Sequence, residues 1–157
     1  MPAPIDFDPM FGRWVVRHRR LRTRLVGADD WQAFDGTSET RPILGGYGNL
    51  EENVLRMPEG DVAAVALRSY DATSGLWAIW WLSATAPHQL DEPVNGRFDG
   101  PIGTFEAEDS FAGRPIRVRF IWDRTDPQAL VWSQAFSADA GATWEVNWTM
   151  HFTPAPA

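Results

Sequence analysis

The chain has 157 residues, which is enough for one domain with a sizeable core. Its net charge of -7 argues against nucleic-acid binding, because phosphate contacts need a basic surface. It contains no cysteine, which excludes disulfides, thiol nucleophiles and cysteine-bound metals. The chain starts without a basic and apolar leader, and its longest apolar run, residues 76–82, is too short to cross a bilayer. We therefore expect a cytoplasmic protein that does not bind membranes.

Short runs in which apolar and polar residues alternate recur along the chain, separated by Gly, Pro, Asn and Asp, and they predict β-strands. The predicted strands lie near residues 13–24, 30–37, 43–56, 61–70, 76–84, 94–99, 103–111, 115–124, 128–137 and 143–152. About ten sequential strands curl and close, or split into two sheets, and closure removes exposed edges. We predict one all-β domain over residues 1–157, ordered from about 6 to 153, folded as a single antiparallel up-and-down barrel.

In the first predicted strand, His18 and Trp14 are an even number of residues apart, so their side chains point to the same face. If Trp14 points inward, Val16, His18 and Arg20 also point inward. An imidazole in an aromatic interior is a candidate for acid–base chemistry or for anchoring a ligand. The alternative is a core histidine that is hydrogen-bonded to a neighbouring strand.

Arg68 lies in the middle of the fourth predicted strand, and a buried arginine needs a partner. Glu51, on the preceding strand, could point to the same face as Arg68 and is a possible partner. The alternative is an exposed ion pair on the outer wall. A turn ending at Gly75 joins this strand to the next one. In a hairpin across this turn we expect Arg68 to share a face with Trp80.

The last two predicted strands both alternate regularly. Gln134 is a polar group in the otherwise apolar row of Leu130, Trp132 and Phe136, and such groups often orient a ligand. The alternative is that Gln134 satisfies a backbone group. In the final strand, alternation predicts one inward row, which consists of Trp144, Val146, Trp148, Met150 and Phe152.

Two motifs resemble known families. Gly12-Arg13-Trp14 looks like the Gly-x-Trp motif at the start of calycins, the superfamily of lipocalins and fatty-acid-binding proteins. Residues 137–144, SADAGATW, are similar to the Asp-box turn of sialidases, but a single copy predicts turn chemistry rather than a propeller. Lipocalins bring a late arginine onto the first-strand tryptophan, whereas no arginine follows Arg124 here.

Residues 7–153 as a whole resemble a bacterial family of unknown function with a lipocalin-like barrel. The resemblance is carried by Trp14, by residues 31–36 (WQAFDG), by the LRSYD and WAIWW segments and by the closing SADAGATWEVNWTMHF. It implies a fold and gives no reaction.

Nine tryptophans and nine phenylalanines exceed what a small core needs, and they predict a ligand cavity in the barrel. We expect a small apolar or aromatic ligand. The candidate ligand-binding residues are His18, Arg20, Arg68, Trp80, Trp122, Trp132, Gln134 and Trp148.

Two other functions stay open. One is a lyase, isomerase or hydratase in which His18 is the catalytic acid or base and Arg68 stabilises negative charge. The other is a filled barrel that acts through its surface, for example as a homodimer. The three dispersed histidines predict no metal site. Some calycin barrels hold haem, so the resemblance also makes His18 and His88 candidate haem ligands.

Overall fold

A computed structural model describes residues 2–157. It consists of ten antiparallel strands in one closed barrel, in which each strand pairs with its sequence neighbours and β10 pairs with β1. The strands are Gly12–Leu21 (β1), Trp31–Ile43 (β2), Gly48–Met57 (β3), Gly60–Asp71 (β4), Leu76–Ser83 (β5), Val94–Asp99 (β6), Ile102–Phe111 (β7), Arg114–Asp123 (β8), Leu130–Ser137 (β9) and Glu145–Pro154 (β10). Single 3₁₀ turns cover Asp8–Met10 and Leu44–Gly46. The predicted all-β, up-and-down barrel is confirmed.

The barrel closes where the first strand meets the last. Val16 pairs with Phe152, His18 with Met150 and Arg20 with Trp148. Both rows point inward, because Trp14, Val16 and His18 are buried together with Trp148, Met150 and Phe152. The apolar alternation of these two strands therefore forms one continuous inner wall.

The predicted inward row of β10 is wrong at its start. A bulge lies between Val146 and Trp148, and it leaves Val146 46% exposed while Asn147 is fully buried. Trp144 lies on the outside, where the guanidinium carbon of Arg119 sits 3.8 Å from its ring centroid. One extra residue reverses the strand's alternation, so parity counted across the bulge assigns the wrong face.

The turn before β10 has the predicted Asp-box chemistry. Asp139 accepts hydrogen bonds from the Thr143 amide at 2.8 Å and from the Ser137 hydroxyl at 2.7 Å. Gly141 has a φ of +90°, and its carbonyl accepts the indole N–H of Trp144 at 3.1 Å. Side-chain oxygens thus satisfy the backbone of a tight turn.

The predicted register of the β4–β5 hairpin is also wrong. The loop of residues 72–75 pairs Asp71 with Leu76, which places Arg68 opposite Ile79. Trp77, Ile79 and Trp81 consequently face the interior, and Trp80 faces outward. Shifting a hairpin by one residue exchanges the two faces of the strand, which is why Trp81 takes the place that we expected for Trp80.

The chain before β1 fills one end of the barrel. Phe7 packs edge-on against Trp77 with ring centroids 4.8 Å apart, and both side chains are buried. The indole N–H of Trp14 donates to the Met10 carbonyl at 2.8 Å, which fixes the 3₁₀ turn across the barrel end. Phe7 and Met10 form what we call the plug, so any open space must lie towards the other end.

Among residues 2–157, no helix has both the length and the apolar character needed to span a bilayer.

Candidate functional site

A cavity of about 180 Å³ opens at the end of the barrel opposite the plug, and we call it the mouth cavity. Its walls are formed by inward-facing side chains of the strands, and its rim is formed by charged side chains at the strand ends and loops. The wall consists of Ile79, Trp81, Val94, Val118, Phe120, Trp132, Gln134, Phe136 and Trp148, and the rim of Arg20, Arg24, Asp91, Glu92 and Asp109.

The aromatic rings of the wall contact one another. Trp132 meets Trp148 edge-on at 5.2 Å between centroids and meets Phe120 edge-on at 5.0 Å. Trp81 meets Trp148 edge-on at 5.6 Å. These geometries are favourable for aromatic quadrupoles, and they hold the rings in fixed orientations around the empty space.

Trp81, Trp148 and Arg20 also line a second hollow of about 260 Å³. Its other walls come from β3, from β4 and from the end of β5, including Leu55, Ala64 and Ser83, whereas the mouth cavity lies against β6 to β9. The edge-on pair of Trp81 and Trp148 therefore divides the open end into two compartments.

Gln134 is the polar group within the aromatic wall, and it is 9% exposed. Its amide nitrogen donates to Asn147 Oδ1 at 2.9 Å. Asn147 is the residue at the β10 bulge, so the bulge directs a fully buried amide at Gln134. This bond fixes the Gln134 amide and leaves its oxygen to accept a further hydrogen bond from the cavity.

His18 lies behind the wall of the mouth cavity rather than in it. Its ring stacks on Phe34 with centroids 4.6 Å apart, and its Nδ1 accepts the indole N–H of Trp148 at 3.1 Å. The neutral ring therefore carries its proton on Nε2, which is buried without a partner among the described residues. A Cβ on Gly36 would lie 2.9 Å from this Nε2, so glycine is what lets the imidazole occupy the site.

The pKa of His18 is lowered to about 4, first by burial and then by the charge of Arg20. The imidazole is therefore neutral near pH 7. With 1% of its surface exposed, it has no route to a molecule in the mouth cavity while Trp148 stands in front of it. This placement removes the geometric basis for His18 as the acid or base of a barrel enzyme.

Arg68 lies at the plugged end of the barrel. It forms a buried ion pair with Glu51, as expected from parity, and it donates to Asn49 Oδ1 at 2.7 Å. Its guanidinium carbon lies 4.7 Å from the Phe7 ring centroid and 5.3 Å from that of Trp122. Arg68 and Trp122 border a void of only about 20 Å³, which is room for about one water molecule. Both residues therefore belong to the filled half of the barrel.

The structure thus brings together four of the predicted binding residues and separates the other four. Arg20, Trp132, Gln134 and Trp148 line the mouth cavity. Arg68 and Trp122 lie below it, His18 lies behind it, and Trp80 lies outside the barrel wall.

Sequence reasoning missed several residues of the cavity. Phe120 has the parity of Trp122, so the sequence did contain the signal for its inward face. Trp81 required the register of the β4–β5 turn, and the inward position of Asn147, which holds Gln134 but does not itself line the cavity, required the bulge. Arg24 lies in the loop after β1, where no periodic pattern predicts a direction.

The predicted haem ligands do not fit a haem in this cavity. His18 Nδ1 is bonded to Trp148, and its Nε2 faces Gly36 rather than open space. His88 is exposed in the loop between β5 and β6. The volume of about 180 Å³ also lies below the roughly 300–1,000 Å³ typical of sites for drug-sized ligands.

No protein-family model matches the chain, and a comparison with curated proteins gives no match either. The resemblance to lipocalin-like barrels thus stays a prediction beyond the architecture itself.

Proposed function

We propose that the protein binds a small molecule with a single aromatic or similarly sized apolar ring in the mouth cavity. The observation that carries this proposal is a preformed space of about 180 Å³ with aromatic walls and one oriented amide. Pockets for small molecules combine apolar walls with a few fixed polar groups in this way.

The volume supports a one-ring ligand. An engineered cavity of about 150 Å³ that is lined by apolar side chains takes up benzene, so the mouth cavity, at about 180 Å³, suits a substituted benzene. Long acyl chains and tetrapyrroles exceed this volume. The cavity also argues against a completely filled barrel that would act only through its surface, because the plug fills one end and leaves the other open.

The test measures binding of phenol, benzyl alcohol and hexadecanoate by tryptophan fluorescence and by calorimetry. We expect the two one-ring compounds to bind with dissociation constants between about 10 μM and 1 mM, or about 4–7 kcal/mol. Hexadecanoate is expected not to bind. If neither one-ring compound binds, the proposal is refuted.

Variants of one cavity residue sharpen the test. Val118 is buried in the wall, so Val118→Phe adds a ring inside the cavity and is expected to abolish binding. Val131→Phe is the matched control, because Val131 points outward on β9. Val118→Ala, which enlarges the space, is expected to admit naphthalene. Equal affinity of the parent protein and Val118→Phe, with both folded by circular dichroism, would place the ligand elsewhere.

A further inference from the structure

Among residues 2–157, two arginines at the rim of the mouth cavity form no ion pair with a carboxylate. Arg20 and Arg24 are both partly buried and both line the cavity. Within residues 2–157, the ion pairs of arginine involve Arg13, Arg17, Arg68 and Arg119. Glu59 acts on Arg20 and Glu145 on Arg24 only from beyond ion-pair distance, so an anion in contact with both guanidinium groups would stabilise these two partly desolvated cations.

Aromatic faces hold both guanidinium groups in place. The guanidinium carbon of Arg20 lies 4.9 Å from the Trp148 ring centroid and 5.6 Å from that of Phe34. That of Arg24 lies 5.5 Å from the Phe136 centroid. A guanidinium that lies over a ring keeps its N–H groups in its own plane; Arg20 Nη2 donates to Met57 Sδ at 3.3 Å, and its other N–H groups can bond a carboxylate.

The two cations also act on each other. Burial and the charge of Arg20 lower the pKa of Arg24, while nearby Glu145 opposes this effect. The Glu145 carboxylate is already bonded to the Leu25 amide at 2.8 Å. An anion between the two guanidinium groups would relieve their repulsion, which is an electrostatic gain that a neutral ligand cannot supply.

The opposite side of the rim is acidic. Asp91 and Asp109 line the same cavity, and although Asp91 as a whole residue is exposed, partial burial of its carboxyl group and the charge of Asp109 raise its pKa. A ligand with one carboxylate can direct it to the arginines. A second carboxylate across the ring would meet Asp91 and Asp109, so the rim disfavours dianions.

We propose that the ligand class of the mouth cavity is the one-ring aromatic monocarboxylates, with the ring on Trp132 and Trp148 and the carboxylate between Arg20 and Arg24. This inference rests on the proposed function. It adds a negative charge to the ligand and assigns to Arg24 the role of binding that charge. The aromatic walls of the cavity alone would require neither.

The experiment compares benzoate, benzamide and terephthalate by calorimetry at low ionic strength. We expect benzoate to bind the parent protein at least about ten-fold more tightly than the neutral benzamide, as expected for charge-assisted hydrogen bonds. Terephthalate is expected to bind at least about ten-fold more weakly than benzoate. Benzamide binding as tightly as benzoate would overturn the inference and leave the proposed function standing, whereas absence of binding by all three, together with the one-ring alcohols, would overturn both.

The variants are Arg24→Gln and its control Arg22→Gln, which removes an exposed arginine of the same loop. Arg24→Gln is expected to weaken benzoate binding by about ten-fold or more and to leave benzamide binding unchanged. Arg22→Gln is expected to change neither. Equal losses for benzoate and benzamide in Arg24→Gln would show a structural role for Arg24 and contradict the assignment.

Discussion

Lowering the pH from 7 to 4.5 should destabilise this protein through His18, because the folded state keeps that imidazole neutral. Its pKa falls from the ordinary value of 6.5 to about 4 in the barrel. Above pH 6.5 the ring is neutral whether the chain is folded or unfolded, so it adds no pH dependence. As the pH falls below 6.5 the unfolded chain takes up a proton that the folded chain refuses, and the free energy of unfolding falls until the pH reaches about 4.

The magnitude follows from the two pKa values. Each pKa unit is worth about 1.4 kcal/mol, so the full loss is roughly 3 kcal/mol, of which about 2.5 kcal/mol is reached by pH 4.5. That is a substantial part of the roughly 5–15 kcal/mol that stabilises a typical domain. The pKa of His18 is lowered because the ring is buried between Phe34 and Trp148 and because the positive charge of Arg20 disfavours the protonated ring.

The assay is urea unfolding at intervals between pH 7 and pH 4.5, followed by tryptophan fluorescence. In His18→Gln the loss of stability over this range should be smaller than in the parent protein by about 2–3 kcal/mol, whatever the variant's stability at pH 7. His88→Gln removes an exposed histidine and should reproduce the parent's pH dependence. Parallel pH profiles for the parent and His18→Gln would refute the buried, neutral imidazole.

Two further predictions concern stability. Glu51→Gln leaves the buried charge of Arg68 without its counter-charge and should lower the free energy of unfolding by about 3 kcal/mol or more, whereas Glu52→Gln on the exposed face should change it by less than about 0.5 kcal/mol. The double variant Glu51→Leu/Arg68→Met should recover most of that loss, and a failure to do so in urea titrations would contradict the ion-pair account. Asp139→Ala removes the acceptor of the turn amides before β10 and should lower the melting temperature by about 2–4 °C, whereas Asp29→Ala should leave it unchanged; equal melting temperatures for the two variants in calorimetry would contradict the turn's role.

Alternation along the chain was sufficient to predict the strands of the barrel. In β1 and β9 it also predicted the inward face correctly, because no extra residue interrupts the alternation between Trp14 and Arg20 or between Leu130 and Phe136. The partner of Arg68 could be predicted for the same reason, since Glu51 has inward parity on the adjacent strand.

The errors at Trp80, Val146 and Trp144 have one cause. Each depended on the register across a turn or a bulge, where a single residue exchanges the two faces of a strand. No periodic pattern carries that information. The same bulge places Asn147 against Gln134, so the feature that misled the sequence argument also orients the polar group of the cavity.

Local sequence thus determined the all-β class, the number of strands and the Asp-box turn, because side-chain alternation and turn chemistry act between near neighbours along the chain. Tertiary structure alone decided where the interior is filled and where it is open. The plug around Phe7 closes one end, the Trp81–Trp148 pair divides the other, and Arg24 reaches the rim from a loop. These features depend on the closure of β1 against β10, which joins residues that the chain separates by its whole length.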